Sequence, residues 1–206
     1  MSMEPTVFLV DDDPAVRDAV RMCLEAAGIA VESFNSAEQF LDRHGSERRG
    51  CIVLDVRMTG ASGLEMQREL QDRDMSLPIV FITGHADVPM SVQAMKAGAV
   101  DFLEKPFDQG ALLRAVREGL RKDSTLCERR DRRLALRERF DLLTPREREV
   151  LDAVVTGSAN KQIAQELGVS HRTVEIHRSR IMKKMRARSV AELVTMATLS
   201  WKRFAE

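Results

Sequence analysis

The chain is poor in the features that mark a secreted, disulfide-built or membrane-spanning protein. Its 206 residues hold three cysteines, Cys23, Cys51 and Cys127. They form no Cys-x-x-Cys pair and are too few for a disulfide framework, so a reducing cytoplasm is the expected compartment. Long apolar runs are missing as well. Val7-Phe8-Leu9-Val10 and Ile79-Val80-Phe81-Ile82 fall far short of the roughly 20 residues that cross a bilayer, and no membrane partner is expected. Met1-Ser2-Met3-Glu4-Pro5 has no basic stretch feeding an apolar one, so no signal peptide is expected.

Net charge is also lacking, although 31% of the residues are charged. The zero hides an asymmetry. Residues 1–122 carry 14 basic and 20 acidic side chains, while residues 141–206 carry 12 and 8. An acidic front suits cations and a basic back suits polyanions, although surface charge also varies by chance.

What is present is alternation. Thr6–Val10, Ala30–Phe34, Cys51–Leu54, Pro78–Ile82 and Val100–Leu103 are short runs rich in Val, Ile, Phe and Leu, separated by amphipathic stretches near 14–27, 36–44, 62–71, 87–97 and 108–121. Near-continuous apolar strands alternating with helices predict an α/β doubly wound five-stranded parallel sheet over residues 1–121, and the order 2-1-3-4-5 is carried over from the common doubly wound arrangement. Residues 122–140 contain neither Gly nor Pro and mix both charges. That composition favours a helical linker, with a flexible charged tether as the alternative.

From residue 141 onward no strand pattern appears. Thr144-Pro145-Arg146-Glu147 is a helix start, with a capping hydroxyl, Pro in the first turn and Glu three residues on. Further helices are expected over about 160–167, 171–186 (capped by Ser170) and 189–199. Residues 141–206 are therefore expected to form an all-α four-helix module.

Several polar side chains fall where the predicted strands end. Asp11 and Asp12 follow the first, Asp55 the third, Thr83 closes the fourth and Lys105 follows the fifth. In a 2-1-3-4-5 sheet strands 1 and 3 are neighbours, and the crevice beyond their C-terminal ends is the binding site. Three carboxylates there repel one another unless a cation joins them, and hard oxygen ligands suit Mg²⁺. A metal, an ammonium and a hydroxyl around one carboxylate is what phosphoryl transfer to an aspartate requires. Asp55, the lone acid facing the pair, is the expected nucleophile. Asp13-Pro14 instead looks like the cap and first residue of a helix. Taken singly, each of these residues is common in turns; their joint placement carries the argument.

Val10-Asp11-Asp12, Asp55-Val56-Arg57-Met58, Thr83-Gly84-His85 and Lys105-Pro106-Phe107 resemble the receiver domain of two-component response regulators. Thr83–Met90 followed by Ala94-Met95-Lys96-Ala97-Gly98-Ala99 is similar to the FixJ branch of the NarL/FixJ type. The resemblance implies that Asp55 accepts a phosphoryl group from a sensor histidine kinase. It also implies that Asp12, Asp55 and the backbone carbonyl of Arg57 hold Mg²⁺, with Asp11 nearby or acting through water. Thr83 would swing toward the phosphate, Phe102 would move with it, and the peptide before Pro106 would be cis. A homodimer would form on the face of the fourth helix and fifth strand, here Val88, Val92, Met95, Lys96 and Phe102. One departure stands out: the family usually has Met-Pro after the phosphoacceptor, and this chain has Met58-Thr59, which does not fix φ as Pro does.

Residues 171–188 contain seven Lys or Arg and one acid, Glu175. With Val174 at 0° and about 100° per residue, Ile181 and Met185 fall within about 20° of it as a buried stripe. Glu175, Ile176, Ser179, Arg180 and Lys183 fall on the opposite arc. Cations there neutralise phosphates, a carboxylate accepts from cytosine, and an apolar side chain meets a thymine methyl. A basic solvated helix in an ordinary bundle would carry similar charges, but the preceding Asn160–Leu167 helix and tight Gly168-Val169-Ser170 turn make a helix-turn-helix. Leu143–Leu151, Asn160–Ala164 and Ser170–His177 resemble the LuxR-type effector domain. By that resemblance Glu175, Ile176 and Ser179 contact bases, while Lys161, Arg172, Thr173, His177, Arg178 and Lys183 contact phosphates of double-stranded DNA. The last helix would pair two such domains on twofold-related sites.

Together these expectations describe a non-enzymatic transcriptional regulator, phosphorylated on Asp55 and dimeric when phosphorylated. A phosphatase working through an aspartyl-phosphate would also place Asp11-x-Asp13, Thr83 and Lys105 in this order. It needs a later acidic pair, however, where this chain runs from Phe107-Asp108 into a helix. A third possibility keeps the DNA binder but makes the receiver a phosphate-independent dimer module.

Overall fold

The computed structural model describes residues 4–43, 48–73, 75–84 and 88–201, with side chains through 198. Two compact units divide the chain at Glu128 and Arg129.

The first unit alternates strand and helix: β1 (Thr6–Val10), α1 (Pro14–Ala26), β2 (Val31–Phe34), α2 (Ala37–Arg43), β3 (Gly50–Asp55), α3 (Gly63–Asp72), β4 (Ile79–Thr83), α4 (Val88–Lys96), β5 (Asp101–Glu104) and the first part of α5 (Gln109–Asp141), whose residues from Arg129 on belong to the second unit. The five strands form one parallel sheet of order β2-β1-β3-β4-β5, as expected. Each strand edge lies within about a residue of its sequence-based range. Pro78 shows why: it has no N–H for the ladder, so β4 starts at Ile79, although the Pro78 carbonyl still accepts from Ile52 N–H at 2.8 Å.

The strands read as continuous apolar runs because both faces are buried. Alternate residues go to opposite sides. Phe8, Val10, Ile52, Leu54 and Phe81 pack with Phe40 of α2, Met66 and Leu70 of α3 and Ala94 of α4. Val7, Leu9, Cys51, Val53, Val80 and Ile82 pack with Val20 and Leu24 of α1 and Leu112, Ala115 and Val116 of α5. Each fully buried large side chain contributes roughly 1.5–3 kcal/mol of transfer free energy. These two cores hold the C-terminal strand ends in fixed relation. Gly50 allows the β1–β3 register: it sits opposite Thr6 with φ +149°, and a Cβ there would lie 1.7 Å from the Thr6 carbonyl oxygen.

Helix α5 continues without interruption through residues 122–140 to Asp141. Its early turns bury Leu112, Ala115, Val116, Gly119 and Asp123; Leu126 and Leu134 further on are exposed. The second unit then holds α6 (Pro145–Val155), α7 (Asn160–Glu166), α8 (His171–Met185) and α9 (Val190–Trp201). Leu143, Val150, Leu151, Val154, Ile163, Val174, Ile181, Met185 and Leu193 form its core. Thr144 and Glu147 close the expected reciprocal cap on α6.

Candidate functional site

Because β1 and β3 are neighbours in parallel register, the residues that end them meet at one rim. One carboxylate oxygen from each of Asp11, Asp12 and Asp55 lies within 4.8 Å of the others. Asp11 is fully buried and Asp55 nearly so. Lys105, delivered by the end of β5, places its ammonium 2.7 Å from Asp11 Oδ2 and 3.3 Å from Asp55 Oδ2. Its backbone N–H donates to the Thr83 carbonyl at 2.7 Å, tying the Lys105 loop to the end of β4. The Lys105–Pro106 peptide is cis.

Each acid is oriented by local hydrogen bonds. Asp11 Oδ1 accepts from the Asp13 N–H at 2.8 Å, and Arg17 Nη1 donates to the Asp11 carbonyl at 2.7 Å. Asp13 itself caps α1, accepting from Ala15 N–H, with Pro14 in the first turn. That is the helix-start role expected for it. Asp12 Oδ2 accepts from Thr59 N–H at 2.8 Å. Asp55 Oδ1 accepts from Arg57 N–H at 3.4 Å, a long bond.

The electrostatics differ between the acids. Burial pushes the Asp55 carboxyl above its ordinary range; Lys105 pulls it back and Asp11 pushes it further up. The Thr59 N–H holds Asp12 below its ordinary value, more strongly than its partial burial raises it. Three carboxylates against one ammonium leave an uncompensated negative site of hard oxygen donors, and such a set fits Mg²⁺.

Thr83 is fully buried at the end of β4. Phe102 of β5 is half-buried, its ring centroid 6.1 Å from that of Phe81. On α4, Val88, Val92 and Met95 are 75%, 44% and 45% exposed, and Lys96 is exposed beside them. His85, which carries part of the Thr83-Gly84-His85 pattern, lies outside the described residues, as do Ala86 and Asp87.

In the second unit Gly168 turns the chain at φ +64° between α7 and α8. Ser170 caps α8 by accepting from Thr173 N–H. Val174, Ile181 and Met185 are buried. Glu175, Ile176, Ser179, Arg180 and Lys183 are exposed, as are Lys161 and Arg172. Thr173, His177 and Arg178 are half-buried. Arg178 Nη1 donates to Asn160 Oδ1 at 2.9 Å, locking α8 to the start of α7.

Sequence reasoning missed four supporting residues. Lys184, one more cation on a basic helix, is an internal clamp: its ammonium lies 2.6 Å from buried Glu147 Oε2 and 3.0 Å from the Leu142 carbonyl. On the wheel it lies about 80° from Val174 and about 60° from Ile181, on the flank of the buried stripe, and that position is the available signal. Glu38 of α2 accepts from Ala61 N–H at 3.3 Å and props the loop after β3. Gly63 packs its Cα so close that a Cβ would lie 2.3 Å from the Asp55 carbonyl oxygen. Thr59, which in the sequence shows only the loss of proline's rigidity, also brings an N–H. None of the last three has a local signal, since each acts on a residue outside its own element.

A parallel α/β unit with an acidic, lysine-bearing pocket at its strand ends, joined to a helix-turn-helix unit, defines a class: receiver domains that carry a DNA-binding output. Comparison with known proteins agrees. The family described as response regulator receiver domain matches residues 7–117, and that described as bacterial regulatory proteins, luxR family, matches residues 141–197. The chain belongs to the two-component response regulators with a LuxR-type DNA-binding domain and is FixJ-like. It is 48% identical to the transcriptional regulatory protein FixJ of Azorhizobium caulinodans over 94% of this chain and 92% of that protein. It is 43% identical to the response regulator protein TodT of Pseudomonas putida, over 91% and 83%. The solved structure of the response regulator StyR superimposes with a TM-score of 0.87 at 47% identity, covering 95% of this chain and 99% of that one.

Proposed function

We propose that Asp55 takes a phosphoryl group from the phosphohistidine of a sensor kinase, and that phosphorylation pairs two chains for binding to promoter DNA. The chain divides into a receiver over 1–121, a helical linker over 122–140 and a DNA-binding domain over 141–206. One observation carries the proposal: the convergence of Asp11, Asp12 and Asp55 with the Lys105 ammonium at the β1–β3 rim.

Asp12, Asp55 and the Arg57 carbonyl would hold Mg²⁺. Both Asp11 oxygens already accept, from Asp13 N–H and Lys105, which suits an outer place acting through water. When bound, Mg²⁺ offsets charge on the transferring group. An Asp55 carboxylate oxygen forms the bond to phosphorus as the phosphorus–nitrogen bond breaks. Lys105, which bridges Asp11 and Asp55 beforehand, stands where it pairs with a phosphoryl oxygen afterwards. The Thr83 hydroxyl turns toward another, and Phe102 follows into the space released. That change reaches Val88, Val92, Met95, Lys96 and Phe102 on the α4–β5 face, whose exposed apolar side chains pair two copies.

On DNA, Glu175, Ile176 and Ser179 read bases. Lys161, Arg172, Thr173, His177, Arg178, Arg180 and Lys183 meet the backbone. The exposure of the Glu175–Lys183 arc opposite a fully buried Val174–Ile181–Met185 stripe supports this assignment.

The test is Mg²⁺-dependent labelling by a small-molecule phosphodonor such as acetyl phosphate. The wild-type chain should label and Asp55→Asn should not. Undiminished labelling of the variant would remove Asp55 from its role.

A further inference from the structure

We propose that the backbone amide of Thr59 is a positioning group for Asp12, setting that carboxylate for a divalent cation before the cation arrives. The inference rests on the Mg²⁺ site proposed above and adds a group to it that carries no charge and no ligand atom.

The observation is a hydrogen bond from Thr59 N–H to Asp12 Oδ2, 2.8 Å long and spanning 47 residues of sequence. Asp12 follows β1, and Thr59 lies in the loop between β3 and α3. The bond therefore joins the two loops that flank the acidic rim. Asp11 and Asp55 are held differently, by the Lys105 ammonium between them. Asp12 is the least buried of the three acids, so without a fixed partner its side chain would sample several rotamers.

A carboxylate offers about four lone-pair sites on two oxygens. An N–H on Oδ2 restricts the rotation of the group while leaving lone pairs for a cation. Hydrogen bonds to ligating carboxylates orient them in this way, and losing such partners typically weakens metal affinity. The donor is a neutral amide, so it supports the ionised acid without competing as a second cation would.

The loop that presents this N–H is braced on both sides. Met58 packs against the sheet core. Ala61 N–H donates to Glu38 Oε1, Gly63 N–H donates to the Val56 carbonyl at 3.0 Å, and the Ser62–Glu65 capping box fixes the start of α3. The donor therefore sits on a loop tied to α2, β3 and α3. What matters most at position 59 is the amide hydrogen, with the Thr59 hydroxyl a lesser donor to the same carboxylate. Any residue supplies that N–H except proline.

The experiment is Mg²⁺ titration by isothermal calorimetry on the full chain, comparing wild type, Thr59→Ala and Thr59→Pro. Thermal unfolding without metal controls for stability. Thr59→Ala keeps the N–H and loses only the lesser hydroxyl contact, so it should bind Mg²⁺ within about threefold of wild type, whereas Thr59→Pro should bind roughly tenfold or more weakly. Independently of any variant, the wild-type Thr59 amide should exchange with solvent slowly although the residue is exposed. Wild-type affinity in Thr59→Pro, an equal loss in Thr59→Ala, or free exchange of the Thr59 amide would each overturn the inference. Absence of Mg²⁺ binding by the wild type would overturn the metal site itself along with it. Should Thr59→Pro not fold, amide exchange and Thr59→Ala still decide the question.

Discussion

At the residue scale the acidic pocket holds a conflict that the proposed phosphoacceptor function explains. Asp55 is almost fully buried beside Asp11, and one Lys105 ammonium serves both. Burial raises its proton affinity, which means the ionised form is disfavoured in the fold relative to the unfolded chain. Asp55→Asn removes one negative charge and little volume. In the absence of divalent cations the variant should be more stable than wild type by on the order of 1 kcal/mol. Added Mg²⁺ should raise the unfolding temperature of wild type more than that of the variant. Equal or lower stability of the variant without metal would show that Lys105 already neutralises the pocket. Asp11, Asp12, Asp55, Thr83 and Lys105 were legible in the sequence because each follows an apolar run, and strand ends are readable from such runs alone. Thr59, Glu38 and Gly63 were not, because a hydrogen bond or a close approach between loops depends on how the elements fold back. The sequence shows residue types, not which distant carboxylate an amide will meet.

Among elements, α6 and α8 show how a local signal and a tertiary one combine. The Thr144–Glu147 cap was legible because its spacing is fixed by helix geometry. That Glu147 also anchors α8 was not. Its carboxylate, 2% exposed, accepts from Thr144 N–H at 2.8 Å and pairs with Lys184 Nζ at 2.6 Å. Burial alone would raise its pKa, but Lys184 and the Thr144 donors outweigh it and the pKa lies below its ordinary value near 4.5. A depressed folded-state pKa contributes stability that is fully present above the ordinary value and is lost as pH falls through the folded one. Lys184→Met should therefore cost the second unit roughly 1–3 kcal/mol near neutral pH, the scale for leaving a buried acceptor without its charged donor. The difference from wild type should shrink in acid. Protection of the Val150 and Leu151 amides from exchange, followed from neutral pH into acid, measures it. Parallel curves for the two proteins would mean that the ion pair adds nothing beyond surface charge. The long α5 makes a similar point. Residues 122–140 lack helix breakers and continue the helix, but where its buried face stops, after Asp123, was set by packing against β3 and not by propensity.

For the whole molecule the question is how a change at Asp55 alters binding by a different compact unit. The proposed answer needs no contact between the two units, only pairing of chains. A basic recognition helix alone gives modest affinity, mostly from phosphate neutralisation. Two of them held together turn the second binding event into an intramolecular one, and such linkage raises affinity by roughly 10²–10⁴ without any new base contact. The face that would hold them carries Val88, Val92 and Met95 outward on α4, an apolar patch unusual for a surface helix of so charged a chain. Met95→Asp places a charge in that patch and changes no residue of the Asp55 pocket or of α8. Labelling by a phosphodonor should therefore persist, and affinity for a single DNA half-site should match wild type. On a site with two half-sites, the gain that phosphorylation brings to wild type should be lost in Met95→Asp. Titrating both proteins, with and without phosphodonor, on one and two half-sites separates these terms. If Met95→Asp keeps the full phosphorylation-dependent gain, coupling runs through another surface. If phosphorylation raises even the half-site affinity of wild type, it works by releasing the DNA-binding unit within one chain, and pairing is secondary.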